Sequence, residues 1–362
     1  MQILHLISRL DGSDEAQQLV ILAGQQLAAG YRVHVVALSA ERAALSGLVE
    51  LGVPSRVLES RWKYDPIAAL RLARVLRSTE AALVHTWDEL ALAYVDWTLP
   101  RNTSYPLIAT LSSAPAGPWL DDLVDRSVFY SNGHRHAAVA RGMIAEKLLV
   151  IPRGVETAPV TKISRDRLLA ALDLPRDSWL LAVAGPLTRE QQVDEAIWCF
   201  ELLRTLHEQA RLLVFGDGPH RHSLERFARK ASDAKSIRFL GFRRDTAEFL
   251  AHTDAFWNVG AERADNQPVP LALLHAMASR VPVVTVESPG CLEIIDDGRT
   301  GMMVPRGDRA AFARQTQRLL KDPDFAGQLG TAAANKICEQ FSSSATMGAY
   351  DHLYRHLLDG NL

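Results

Sequence analysis

Short apolar runs alternate with amphipathic stretches along the chain, and the alternation has the rhythm of strand followed by helix. Residues 3–7 are a compact apolar run that predicts a strand. Residues 16–29 carry apolar positions at helical spacing, and Gly30 closes that helix. The same reading predicts a strand at 33–38, a helix at 67–77, and strands at 82–86, 107–111 and 127–131. Strands separated by helices predict a parallel sheet wound on both faces, with ligands beyond the carboxyl ends of its strands.

Past residue 156 the rhythm breaks. The segment through Asp177 is rich in Pro, Thr, Ser and charge and reads as a linker entering a short helix at 165–172. A second series starts at Trp179, with strands at 180–185, 211–216, 237–241, 255–259 and 283–286. Helices are predicted at 193–206, 220–230 and 246–251, and a last one at 344–358. The expected fold class is α/β, with two doubly wound Rossmann-like domains. One spans 1–162 together with the final helix, 344–362, and the other spans 163–343, so the boundary falls near Lys162.

Composition narrows the function classes. A chain of 362 residues with 48% hydrophobic and 23% charged residues suits two packed domains rather than disorder. Its formal net charge of −2 gives no electrostatic footprint for nucleic acid. Cys199, Cys291 and Cys338 are far apart and outside any C-x-x-C pattern, so neither a disulfide framework nor a zinc site is expected. The amino terminus reads as a first strand rather than a signal peptide, and no run reaches the length of a membrane span. The expected setting is cytoplasmic.

Residues 266–305 carry the most specific chemistry. Leu271, Leu274, Met277 and Ala278 recur at helical spacing after Pro268 and Pro270, and 281–286 reads as a strand covered on both faces. A helix opening at the carboxyl edge of a parallel sheet is an anion site. This stretch resembles the donor-site signature of the retaining glycosyltransferases of family 4, which have the GT-B fold. In that family it reads E-G-x-P/G-x-x-L-L-E-A-M-A-x-G-x-P-V-V. The family's two glutamates fall on Gln267 and His275, and Glu293 matches a family glutamate. The resemblance extends to V-I-P-R-G-V-E at 150–156, where the family reads V-I-P-N-G-V-D, and to L-L-V-F-G-D-G-P and I-R-F-L-G-F-R-R-D. The final helix resembles the one that crosses back onto the first domain in GT-B proteins.

The resemblance implies a sugar transfer from a nucleotide-sugar co-substrate to a sugar or lipid-linked hydroxyl acceptor, with retention, without a metal or other cofactor and in a cleft between the domains. Its donor loop, G-R-L-x-x-x-K-G, reads here Gly185-Pro186-Leu187-Thr188-Arg189-Glu190-Gln191-Gln192. Both cations are replaced, by Pro186 and Gln191. Two charge-assisted contacts are worth about 3–6 kcal/mol together, so donor binding is expected to be weak unless Arg189 compensates. The residues expected to act at the reacting sugar and phosphates are Gln267, His275 and Arg189. Donor contacts are expected from Gly185, Gln191, Gly216, Gly241, Leu271 and Glu293.

On the acceptor side the resemblance points to Ser13, His85 and Ser112. Ser13 lies in Gly12-Ser13-Asp14-Glu15, where relatives carry Gly-Gly-Ala-Glu, and Ser112 stands where relatives often have histidine. His85, in V-H-T-W-D, either binds an acceptor hydroxyl or is a hydrogen-bonded edge residue. Arg61, Lys63, Arg71, Arg74 and Arg77 flank a stripe of Ile67, Leu70, Ala73 and Leu76. That stripe either packs on the sheet or touches an anionic membrane, as a basic surface in this half does in relatives with lipid-linked acceptors. Two rival functions are a noncatalytic homologue acting as a carbohydrate-binding or partner-regulating protein, and an epimerase or phosphorylase of the same architecture.

Overall fold

The computed structural model describes residues 1–98, 105–115, 117–157, 163–189, 191–233, 235–243, 245–260 and 269–360. Backbone proximity divides the chain into two units, Met1–Gly154 with Ser343–Leu362, and Val155–Ser342.

Unit 1 is built on seven parallel strands, β1 (Gln2–Leu10), β2 (Arg32–Ala40), β3 (Ser55–Val57), β4 (Leu83–Thr86), β5 (Leu107–Leu111), β6 (Arg126–Phe129) and β7 (Leu148–Val150). Their order is β3-β2-β1-β4-β5-β6-β7, so the winding reverses between β1 and β4. A sheet covered on both faces needs apolar side chains at consecutive positions, and β1 supplies them. Leu4 and Leu6 enter a core under the helices Pro66–Ser78 and Glu89–Thr98. Ile3, Ile7 and Leu10 enter a second core under Asp14–Ala28 and the carboxyl-terminal helix Ser343–Leu358. Gly154 must be glycine where that last helix begins, because a Cβ there would lie 2.4 Å from Thr346 Oγ1 and 2.8 Å from Ser343 Cα.

Unit 2 repeats the plan with six strands, β8 (Trp179–Ala184), β9 (Ala210–Phe215), β10 (Ile237–Gly241), β11 (Ala255–Asn258), β12 (Val283–Val286) and β13 (Met302–Val304). The order β10-β9-β8-β11-β12-β13 reverses between β8 and β11. Leu180 and Ala182 face a core with the helices Leu271–Ala278 and Pro323–Gln340, while Leu181 and Val183 face the helices Val193–Arg204 and Arg309–Lys321. Gly154 N donates to Gln18 Oε1 at 2.9 Å within unit 1, and Val155 N donates to Phe341 O at 2.9 Å within unit 2. Lys162 lies outside the described residues.

Two local expectations change. The strand expected through Ser131 ends at Phe129, because Ser131 instead accepts from His134 N and caps the helix Asn132–Ala140. The helix Pro66–Ser78 buries Ala68, Ala69, Leu72, Ala73, Val75 and Leu76, leaving Ile67 and Leu70 at 55% and 62% exposure. Its sheet-facing stripe is therefore rotated from the expected one.

Candidate functional site

Strand β8 turns out of the sheet through Gly185 at φ 150°, and β9 does so through Gly216 at φ 116°. A Cβ on Gly216 would stand 1.9 Å from the Gly185 carbonyl oxygen, so only glycine fits. The loop that follows is pinned by Gly185 N to Phe215 O at 3.1 Å, Leu187 N to Asp217 O at 2.9 Å and His220 N to Leu187 O at 3.0 Å. The resulting crevice, at the switch point between β8 and β11, is where an open α/β sheet takes ligands.

That crevice is almost full. About 10 Å³ remains free, room for roughly one water. Gln191 occupies it: a Cβ on Gly185 would meet its amide carbon at 3.5 Å, and one on Gly260 would meet its Oε1 at 3.0 Å. Across the crevice Asn258 spends its amide hydrogens on Thr285 Oγ1 at 3.0 Å and Cys291 Sγ at 3.4 Å, which fixes the orientation of its carbonyl. Among the described residues that line the crevice none is charged. Gln192 then enters the helix Val193–Arg204 with φ 47° and ψ 41°, a left-handed backbone that disfavours a side chain, and it makes no side-chain cap.

The structure thus brings Gly185 and Gln191 together, with Gly216 buttressing the turn. Gly241 borders the neighbouring strand end, where a Cβ would meet Arg221 Nη1 at 3.2 Å. Arg221 itself is held by Asp217 at 2.8 Å and Glu225 at 2.9 Å. Arg189 is exposed, does not line the crevice, and has no ion-pair partner among the described residues. The Leu271 side chain is 1% exposed and sunk in the core, which leaves its backbone at the start of the helix as the part that could meet a donor. His275, on the same helix, is lowered to a pKa of about 4 by burial, so its imidazole is neutral at pH 7. Glu293 is partly buried on Pro289–Ile294, whose amino end is capped by Ser288. Gln267 and Pro268 lie outside the described residues. Among the described residues no group of three or more His, Cys, Asp or Glu is placed to hold a metal ion.

In unit 1, Ser13 is a helix cap, accepting from Ala16 N at 3.4 Å. The next two residues pair with a buried cation. Arg153, 4% exposed, reaches Asp14 Oδ2 at 3.0 Å and Glu15 Oε1 at 2.7 Å and lies 4.4 Å over the Tyr130 ring. Two departures from the family pattern, Asp14 and Arg153, therefore meet and compensate one another. Sequence reading missed Arg153 because its partners are 138 and 139 residues away. It also passed over Asn258, although a polar residue at the carboxyl end of a switch-point strand was the available signal.

His85 is corrected as an acceptor contact. It is fully buried, with Nδ1 bonded to Tyr354 OH at 2.7 Å and Nε2 to Thr110 Oγ1 at 2.7 Å. Trp87 stacks on it at 4.7 Å. Burial and the neighbouring His5 hold its pKa well below the ordinary value. Nδ1 thus fastens the final helix to the sheet, while Nε2 ties β4 to β5 within it. Ser112 follows β5 and is partly buried.

Two open parallel sheets, each reversing at a switch point, define a GT-B fold. HepE of Anabaena, solved with UDP-glucose, has the same fold at a TM-score of 0.84, with 17% identity over 99% of this chain and 100% of that one. Residues 179–322 match the family described as Glycosyl transferases group 1, and residues 16–159 match Glycosyltransferase Family 4. Together these matches account for most of the chain, which carries a Glycosyltransferase Family 4 domain in its first half and a Glycosyl transferases group 1 domain in its second. Among curated relatives, the lipopolysaccharide core biosynthesis glycosyltransferase LpsE of Rhizobium meliloti is 28% identical over 56% of this chain and 56% of its own. N-acetyl-alpha-D-glucosaminyl L-malate synthase of Bacillus anthracis is 29% identical over 46% of this chain and 43% of its own. The chain spans about half the length of these curated relatives.

Proposed function

We propose that this protein transfers a sugar from a nucleotide-sugar donor to a hydroxyl acceptor with retention of configuration. The observation that carries the reading is the switch-point crevice of unit 2, formed by the loop that occupies the family's donor-loop position. HepE was solved with UDP and UDP-glucose, which supports a nucleotide-diphosphate donor. LpsE, a lipopolysaccharide enzyme, supports a saccharide acceptor.

In this reading Gln191 swings out as the donor enters, and the Gly185 backbone meets the diphosphate. Arg189 supplies the cation for the leaving charge, because preorganised positive charge is usually the largest catalytic contribution. Neutral His275 offers one hydrogen bond to the ribose, Gln267 accepts from the transferred sugar, and Glu293 takes donor hydroxyls. Ser13 and Ser112 lie on the acceptor side. The three cysteines are unpaired, which supports a reducing, cytoplasmic setting.

Peripheral contact with an anionic membrane belongs to the same reading. Trp62, Tyr64, Ile67, Leu70 and Trp97 are each more than half exposed. Arg61, Lys63, Arg74 and Arg77 stand exposed along the same stretch. Aromatic and aliphatic side chains among cations suit a lipid headgroup boundary. Co-sedimentation with phosphatidylglycerol vesicles but not phosphatidylcholine vesicles is the expected result, and no difference between them contradicts it. No helix among the described residues is long and apolar enough to cross a membrane.

A second reading, a noncatalytic homologue, is favoured by the uncharged lining of the crevice. The deciding experiment is release of nucleotide diphosphate from UDP- and GDP-sugars with saccharide acceptors present. Acceptor-dependent release that falls about a hundredfold in Arg189→Ala supports the transferase with Arg189 at the phosphates. Absence of release with every donor contradicts it and leaves the noncatalytic reading.

A further inference from the structure

We infer that one helical face of unit 2 is a docking surface for an acidic amphipathic helix of a partner protein. The helices Arg221–Ala231, Val193–Arg204 and Arg309–Lys321 cover the core that holds Leu181 and Val183. Val193–Arg204 lies in the middle: Arg204 Nη1 donates to Ser232 Oγ at 3.1 Å on one side, and Glu195 pairs with Arg309 at 2.5 Å on the other. Trp198 and Leu202 stand one turn apart on its outer side, and Leu206 continues the row past its end. They are 44%, 46% and 69% exposed. At 1.5 Å per residue the row is about 12 Å long, the reach of about two turns of a partner helix.

Charge says what covers that row. Among the charged residues of these three helices that are exposed, Arg226, Arg229 and Lys230 stand on one flank and Arg309, Arg314, Arg318 and Lys321 on the other, against Asp194 alone. The remaining acids are partly buried, and two of them are bound, Glu195 to Arg309 and Glu225 to Arg221 at 2.9 Å. The whole chain has a formal net charge of −2, so this face gathers positive charge that the rest of the molecule lacks. Like charge repels a second copy of the same face and favours an acidic partner. The setting of the tryptophan narrows the choice further. Trp198 meets Phe227 edge-on at 5.4 Å and the Arg309 guanidinium at 5.6 Å. Braced by both neighbouring helices, it is not free to project into a bilayer as an anchor. A flat apolar row between two ranks of cations instead receives the leucine row and flanking carboxylates of a helix.

The probe is a synthetic helical peptide of about 20 residues with one leucine row between two glutamate rows. Fluorescence anisotropy on the full chain should show it binding, and the same peptide with lysine for every glutamate should bind about tenfold or more weakly. Leu206→Glu should weaken the glutamate peptide by about tenfold or more, and Arg226→Glu combined with Lys230→Glu by a similar factor. All three side chains are exposed, so these variants keep the parent's melting temperature. Co-sedimentation of Leu206→Glu with phosphatidylglycerol vesicles should match that of the parent. The proposal is overturned by no binding of the glutamate peptide up to about 1 mM, by equal binding of the lysine peptide, or by equal affinity in Leu206→Glu. It is also overturned by loss of vesicle binding in Leu206→Glu, which would make the row a membrane contact, or by a dimer of the parent that Leu206→Glu abolishes.

Discussion

The two switch points of this chain share a topology and are closed by different means. Between β1 and β4, unit 1 spends its own side chains. Asp88 accepts from Ser8 N and Ala91 N, each at 2.8 Å, and Trp87 Nε1 donates to His5 Nδ1 at 3.1 Å. His5 Nε2 in turn bonds Gln26 Oε1 at 2.7 Å, and His85 continues the network to Tyr354 and Thr110. Between β8 and β11, the crevice of unit 2 is filled by a neutral amide, Gln191, which makes no hydrogen bond with the described residues. Opening the first crevice breaks a buried polar network, and each unpaired buried group costs about 1–3 kcal/mol. Opening the second moves one partly exposed side chain. In the proposed function the first switch point is therefore structural, and the second is the one that admits the donor.

The largest test of that contrast strikes the frame of the second crevice. Gly216→Ala combines overpacking with a strained backbone and should destabilise unit 2 by about 3–5 kcal/mol, lowering its melting temperature by roughly 10 °C. Unchanged melting would show that the loop yields and does not frame a site.

Acid should loosen unit 1 next. Burial lowers His5 to a pKa of about 4 and His85 in the same direction, so the unfolded chain takes up protons first as pH falls. Stability is fully present above pH ~6.5 and declines as pH drops toward 4, by roughly 3 kcal/mol from His5 alone. Urea melts at pH 7 and pH 5 monitored on unit 1 check this, and a pH-independent midpoint would contradict it. A smaller loss, about 1–3 kcal/mol, is expected for Tyr354→Phe, which leaves His85 Nδ1 unpaired. Its readout is faster amide exchange in the final helix, whereas unaltered exchange would mean that helix is not held by the network.

The smallest effect has the opposite sign. Gln192→Gly relieves a left-handed residue and should stabilise unit 2 by about 0.5–1 kcal/mol after the added chain entropy of glycine. A destabilised Gln192→Gly would show that the Gln192 side chain is needed where it stands.

Much of this frame was legible in the residues because buried parallel strands declare themselves. Strands β5, β10 and β12 fall on the expected residues since each is a short run bounded by turn residues. The helices Arg309–Lys321 and Pro323–Gln340 escaped the reading. Their buried residues are sparse, such as Phe312, Thr316 and Leu319 on the first, and Asp322 ends one helix and caps the other with no loop between. Edge strand β3 has no buried residue to mark it. At the site, the loss of the cations at Pro186 and Gln191 could be read from the resemblance to the family's donor loop. That Gln191 fills the crevice, and that Arg153 answers Asp14, are tertiary facts that no local pattern carries.

The most direct measurement is the calorimetric affinity of UDP and GDP for the parent protein and for Gln191→Lys. The account predicts dissociation constants well above the micromolar range for the parent. It also predicts a gain of about tenfold or more in the variant, since a cation then stands in the crevice beside Gly185. Micromolar binding by the parent that Gln191→Lys leaves unchanged would contradict the claim that this crevice receives the donor phosphates.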